Sequence, residues 1–216
     1  MNPSEPHFLK KLSAIAELRC ATSGPAHDFL HVRRVVDTAR RIAEAEGADH
    51  AVVVPAALLH ELFNHPKGHP ESHLSGEVCA EHARVVLVAE GCAQDLVEPI
   101  CEAIRVHPFS RGILPGTIEG RVLQDADRLD AIGAIGIARC FATCAEMGRP
   151  LYASDDPFCR TRLPDDKSWG LDHFYKKLLL IPEQLHTKTA RAMADSRVET
   201  MRAFLASLQN ELGLGR

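Results

Sequence analysis

Residues 51–62, AVVVPAALLHEL, are apolar on nearly every side when wound as a helix. Such a helix is stable in water only where other elements cover it all round. The rest of the chain offers helices to do so: apolar residues recur at helical spacing, and runs rich in β-branched residues are scarce. HFLKKLSAIAELRC (7–20) is amphipathic and stops at TSGP. HDFLHVRRVVDTARRIAEAE (27–46) carries a stripe of Val32, Val35, Val36, Ala39, Ile42 and Ala43, and Gly47 ends it. Further helices are predicted over 74–90, 94–107 and 117–147, the last bent at its glycines. Residues 149–170, RPLYASDDPFCRTRLPDDKSWG, fit no period and predict a long polar loop of the kind used for lids or substrate contacts. Helical spacing then resumes to about residue 212. The expected architecture is all-α: one domain over 1–216, with a core at about 20–147 and a C-terminal helical part at about 171–212.

Composition narrows the class of function. A chain of 216 residues can bury one full hydrophobic core. Its net charge of −4 gives no electrostatic case for binding nucleic acid or an anionic membrane. No apolar stretch approaches the length of a bilayer span, and MNPSEPHFLKKLSAIAEL lacks a signal-peptide pattern. Seven cysteines, an odd number at scattered helical positions, fit reduced thiols in a cytoplasmic protein. The pair Cys140 and Cys144 fits core packing better than zinc. Twelve histidines are the one excess, and they cluster in the first half.

Buried helices tolerate polar side chains only when those are partnered, so polar residues on apolar runs mark candidate chemistry. Three places stand out. His27 and His31 lie one turn apart at the opening of the second helix, with Asp28 between them. His60 and Glu61 end the most apolar helix. QDADRLDA (124–131) places Asp125, Asp127 and Asp130 before the small-residue run IGAIGIA. Asp127 and Asp130 fall about 60° apart on a helix, whereas Asp125 points nearly opposite Asp127.

A zinc protease would need His-Glu-x-x-His, but the next histidine after His60 is His65, about 140° round the helix. That reading is excluded. A di-iron carboxylate bundle wants Glu-x-x-His pairs, and near matches such as Glu102 with Arg105 do not supply them. Each polar site also has an ordinary explanation: a helix cap at His27 or Asp28, a satisfied core histidine at His60, a salt-bridged surface at the aspartates. His65, His69 and His73 fit loop positions better than ligand positions. Together, however, two histidines and two carboxylates from three helices are the donors that a divalent cation with open positions requires.

HDFLHVRRV, AALLHE and DADRLDAIGAIGIARCF, in that order, resemble the HD-domain metal-dependent phosphohydrolases, closest to a bacterial branch with HDxxHVxRV and DADRLDAIGAIGIAR motifs. HFYKKL (173–178) and a downstream T…R…A…R pattern extend the resemblance over roughly residues 7–212. It implies an all-α bundle that holds one or two divalent ions (manganese, magnesium, cobalt, nickel or iron) and hydrolyses a phosphate ester or anhydride. The closest branch looks like hydrolases of nucleoside triphosphates, so the implied partner is a small phosphorylated molecule, with no membrane or nucleic acid, and room is left for a homodimer.

Carried over position by position, the resemblance makes His31, His60, Glu61 and Asp127 the metal ligands, with Asp125 as the competing register. Glu61 departs from the pattern, which has Asp there, and its extra methylene shifts the carboxylate by about 1 Å if the backbone stays put. The expected mechanism is attack at phosphorus by water activated at the ion. Lys67, Arg111, Arg128 and His107 are candidates to stabilise phosphoryl charge, Asp130 and Asp28 to orient ligands or water, and His27 to contact substrate beside Lys67 and Arg111. The rival expectation is a catalytically weakened relative that binds metal or nucleotide in a regulatory role, with Glu61 as the mark of relaxed chemistry.

Overall fold

The computed structural model describes residues 5–21, 28–65, 69–108 and 112–214. Among these residues the regular structure is entirely helical, so the fold is all-α as expected. The chain forms two compact units, Met1–Asp127 and Arg128–Arg216.

In the first unit, α1 (Pro6–Cys20) begins with proline at its first turn and buries Phe8, Leu12, Ala16 and Cys20, one residue per turn. Asp28 caps α2 (Phe29–Glu46) by accepting from the His31 N–H at 3.0 Å. Gly47 ends α2 in the left-handed conformation (φ 71°), which a glycine adopts without steric cost. α3 (His50–Leu59) is capped by Asp49, whose carboxylate accepts from the Ala51 N–H at 2.8 Å. Every residue of α3 from Ala51 to Leu59 is buried. Its neighbours are α1, α2 and α5 (Gln94–Val106), which cover the apolar helix as its composition demands. α4 (Ser75–Ala89) packs on α5 so closely that a Cβ at Gly76 would meet the Arg105 carbonyl oxygen at 2.4 Å.

α3 stops at Leu59, three residues short of the apolar run, and His60 and Glu61 turn away from its end. The Cys79 thiol on α4 donates to the carbonyls of Leu59 (3.4 Å) and His60 (3.1 Å), two acceptors that the helix end leaves open. α6 (Ile118–Asp130) is tied to the end of α5 through Gln124, whose amide donates to the Val106 carbonyl at 3.0 Å and to that of Ile113 at 3.2 Å.

The expected single helix over 117–147 is two. After α6 the chain breaks, and α7 (Gly133–Glu146) starts at Gly133 with φ 80°. A Cβ at Gly136 would overlap the Ala131 carbonyl, so the tight turn between the helices depends on small residues. The C-terminal region is likewise interrupted: α8 (Asp172–Lys176), a 3-10 stretch (Leu178–Gln184) and α9 (Lys188–Glu211) follow in turn. Phe141, Phe174 and Phe204 join α7, α8 and α9, with ring centroids 5.8–5.9 Å apart. The loop over 149–170 is present, and its polar side chains engage the loop itself and α8. Arg162 forms a bidentate pair with Asp172 and stacks on Trp169, while Asp156 accepts from the backbone of Arg160, Thr161 and Arg162.

All seven cysteines are free thiols. The thiols of Cys140 and Cys144 donate to backbone carbonyls of Gly170 and Arg149, as core cysteines do. No described helix is long and apolar enough to cross a membrane.

Candidate metal centre

The first turn of α2, the end of α3 and the last turns of α6 bring His31, His60, Glu61 and Asp127 together. His31 and His60 are fully buried in an otherwise apolar interior. Their Nε2 atoms face each other at 3.3 Å. Asp127 Oδ1 lies 3.5 Å from His31 Nε2, and Glu61 Oε1 lies 3.6 Å from the same nitrogen and 4.0 Å from His60 Nε2. The two carboxylates are on the open side: their side chains are 11% (Glu61) and 25% (Asp127) exposed, against none for either imidazole. His31, His60 and Asp127 offer donor atoms all within 4.8 Å of one another.

These distances fit a shared cation. An ion with bonds of about 2.1 Å keeps neighbouring donors about 3.0–3.4 Å apart, close to the nitrogen–nitrogen and nearest nitrogen–oxygen separations here. The ring of His60 has an orientation compatible with such sharing. Its Nδ1–H donates to the Ala57 carbonyl at 2.7 Å, leaving the Nε2 lone pair aimed at the cluster. The donor set of neutral imidazole and carboxylate suits first-row divalent ions.

His107 completes the surroundings. It follows α5 directly, donates through Nδ1–H to the Ile104 carbonyl at 2.6 Å, and packs edge-on against His60 with centroids 5.3 Å apart. Among the other expected site residues, Asp28 serves as the cap of α2 and so fixes the backbone at His31. Asp125 is fully buried on the other side of α6. Arg128 and Asp130 belong to the second unit. The Arg128 guanidinium donates to the Gln184 carbonyl at 2.5 Å and lies 3.2 Å from His186 Nε2, while Asp130 pairs with Arg139 at 2.7 Å. Both are engaged by neighbours of their own unit. His27, Lys67 and Arg111 lie outside the described residues.

Two features had no sequence signal. Cys79 pins the backbone at His60, and nothing in its spacing connects it to the site. Burial pushes its thiol up to about 12, which keeps it protonated as the donor to the Leu59 and His60 carbonyls. A second group, His65, His69 and Glu71, also gathers donor atoms within 4.8 Å, with the two imidazoles stacked at 4.5 Å. It lies nearer the surface, on the loop that follows the end of α3.

Electrostatics favour neutral imidazole at the centre. Burial lowers the pKa of His60 from 6.5 to about 4, and Glu61 only partly offsets this. Asp127 is pushed up by burial, but the neighbouring His31, His60 and His107 outweigh that and hold it below the usual carboxylate value. Because His60 binds its proton less readily folded than unfolded, its contribution to stability is complete above pH 6.5 and is lost as pH falls toward 4. That window corresponds to a loss on the order of 3 kcal/mol. In chelator-treated protein, urea midpoints measured from pH 7 to 4 should fall more steeply for the native chain than for His60→Asn. Parallel curves would show that His60 is not held neutral by burial.

Comparison with known proteins places this centre in context. A model of the HD domain family matches residues 28–132, a span that opens at the cap of α2 and includes all four clustered residues. YpgQ of Bacillus subtilis, an uncharacterized protein, is 35% identical over 190 residues, covering 86% of this chain and 84% of YpgQ. The crystal structure of YpgQ in complex with ADP is similar at a TM-score of 0.76 and 32% identity, over 98% of this chain and 97% of that one. An HD-superfamily hydrolase from Bacillus thuringiensis is similar at a TM-score of 0.73 and 28% identity, over 96% and 97% of the two chains. With its paired histidines, the following carboxylate and the late aspartate in one cluster, the chain belongs to the HD-domain family.

Proposed function

We propose that this protein is a metal-dependent phosphohydrolase that cleaves a phosphate ester or anhydride of a nucleotide, in the manner of a nucleoside triphosphate pyrophosphohydrolase. The observation that carries the reading is the convergence of two buried imidazoles and two partly exposed carboxylates on one point. The ADP complex of YpgQ supports a nucleotide as the substrate class.

A divalent ion at this point would supply Lewis-acid activation of water and neutralise phosphate charge. The chain's own groups set the rest. His60 is fixed in one tautomer by the Ala57 carbonyl, so its Nε2 stays a lone-pair donor across the neutral range. Asp127 stays ionised there and keeps the cluster anionic enough to attract a cation. Glu61 Oε1, at the open edge and 3.6 Å from His31 Nε2, would join the imidazoles in holding the ion. His107 closes the inner side against His60, keeps bulk water from that face, and is a candidate to meet phosphoryl oxygens. Lys67 and Arg111 remain candidates for phosphate charge.

The rival reading, a relative that binds but does not turn over, turns on Glu61. Its longer side chain brings Oε1 within 3.6 Å of His31 Nε2, a distance that suits a working carboxylate in this backbone. The two readings then predict opposite effects of shortening it. Glu61→Asp withdraws the carboxylate by about 1 Å and should lower turnover by up to about a hundredfold. A rise from no measurable turnover to a clear rate in Glu61→Asp would favour the binding protein.

The broader test is a nucleotide panel with product separation, run after chelation and after readdition of manganese, magnesium, cobalt or nickel. Hydrolysis should vanish with the chelator and return with metal. His60→Ala and Asp127→Ala should each lose more than the 10–100-fold that removal of an outer partner typically costs. Metal-independent hydrolysis, or full activity in both variants, would overturn the reading.

A further inference from the structure

A second concave site lies away from the metal centre. α1, α2 and α3 line an open groove of about 700 Å³, within the range of small-molecule sites. Its floor is apolar, with Val36, Val54 and Leu58 buried beneath it. Its rim carries Lys10, Arg33, Arg40 and His50 against a single carboxylate, Asp37. Among the described residues, none of these four basic side chains forms an ion pair or a side-chain hydrogen bond.

The groove is separate from the metal centre for a helical reason. Arg33 stands two residues beyond His31, and Leu58 two before His60. Residues two apart on a helix point about 200° from each other, so the groove uses the sides of α2 and α3 that face away from the histidines. No residue of the cluster lines it.

The cationic side chains gathered around this one concavity repel each other, and an anion between them relieves that repulsion. Two of them are arginines, whose planar forks match phosphate oxygens in pairs. The apolar floor offers contact to something less polar than phosphate alone. We propose that this groove is a second ligand site that takes a phosphorylated small molecule: its phosphates lie between Arg33, Arg40 and Lys10, and an aromatic or aliphatic part rests on Val36, Val54 and Leu58. The proposal does not depend on hydrolysis at the metal centre.

The test is calorimetric titration of the full chain in excess chelator, with ADP and with inorganic pyrophosphate as probes. The native protein and Asp127→Asn should bind ADP with the same affinity, because the groove is intact in both. Arg33→Gln/Arg40→Gln and Arg33→Glu/Arg40→Glu should weaken ADP binding at least tenfold, with melting temperatures and circular dichroism like those of the native chain. Pyrophosphate should bind more weakly than ADP, and both should weaken as salt is raised. Binding that survives both arginine pairs, binding lost in Asp127→Asn, or no binding by the native chain would overturn the proposal. Equal affinity for pyrophosphate and ADP would overturn the role given to the apolar floor.

Discussion

The first unit depends on the burial of one helix. α3 has no polar face, so it is stable only with α1, α2 and α5 packed round it. That requirement brings the first turn of α2 and the end of α5 against the residues that follow α3. The imidazoles of His31, His60 and His107 therefore meet in the buried interior. Burial in turn keeps His60 neutral and makes its lone pair available. The same packing that satisfies an apolar helix thus gathers the clustered imidazoles at its end.

The backbone around that end is held with more than helix hydrogen bonds. His60 donates back to Ala57, Cys79 donates forward to Leu59 and His60, and Asp28 fixes the turn that carries His31. Ligands set by packing and by hydrogen bonds of this kind lose little freedom when they bind. The carboxylates lie differently. Glu61 and Asp127 keep partial exposure, so the cluster is buried on the imidazole side and open on the acidic side. A cation held on the open side would offset the repulsion between phosphate and carboxylates.

Much of this was legible in the sequence, and for identifiable reasons. Apolar periodicity located the helices because each hides one face, and α3 was conspicuous because it hides all of them. His31, His60 and Asp127 stood out as polar residues on buried helices, and the structure brings them together. What escaped was set by backbone conformation or by distant partners. The break between α6 and α7 rests on a left-handed glycine and an unusually close approach at Gly136, neither of which alters apolar spacing. The partners of Arg128 and Asp130, the Gln184 carbonyl and Arg139, come from the fold of the second unit and have no signal in the motif they share with Asp127. The contact of His107 with His60 joins residues 47 positions apart, and no local pattern encodes it. Glu61 is the instructive case, since its departure from the family pattern was plain in sequence while the reach of its carboxylate was not.

The central claim is that His31, His60, Glu61 and Asp127 hold one catalytic cation. Crystals of the protein soaked in manganese and measured at the manganese absorption edge test it directly. The account predicts an anomalous peak bonded to His31 Nε2, His60 Nε2 and Asp127 Oδ1, with Glu61 at or beside the ion. Well-ordered side chains at these positions with no peak among them, at manganese concentrations that support hydrolysis, would contradict it.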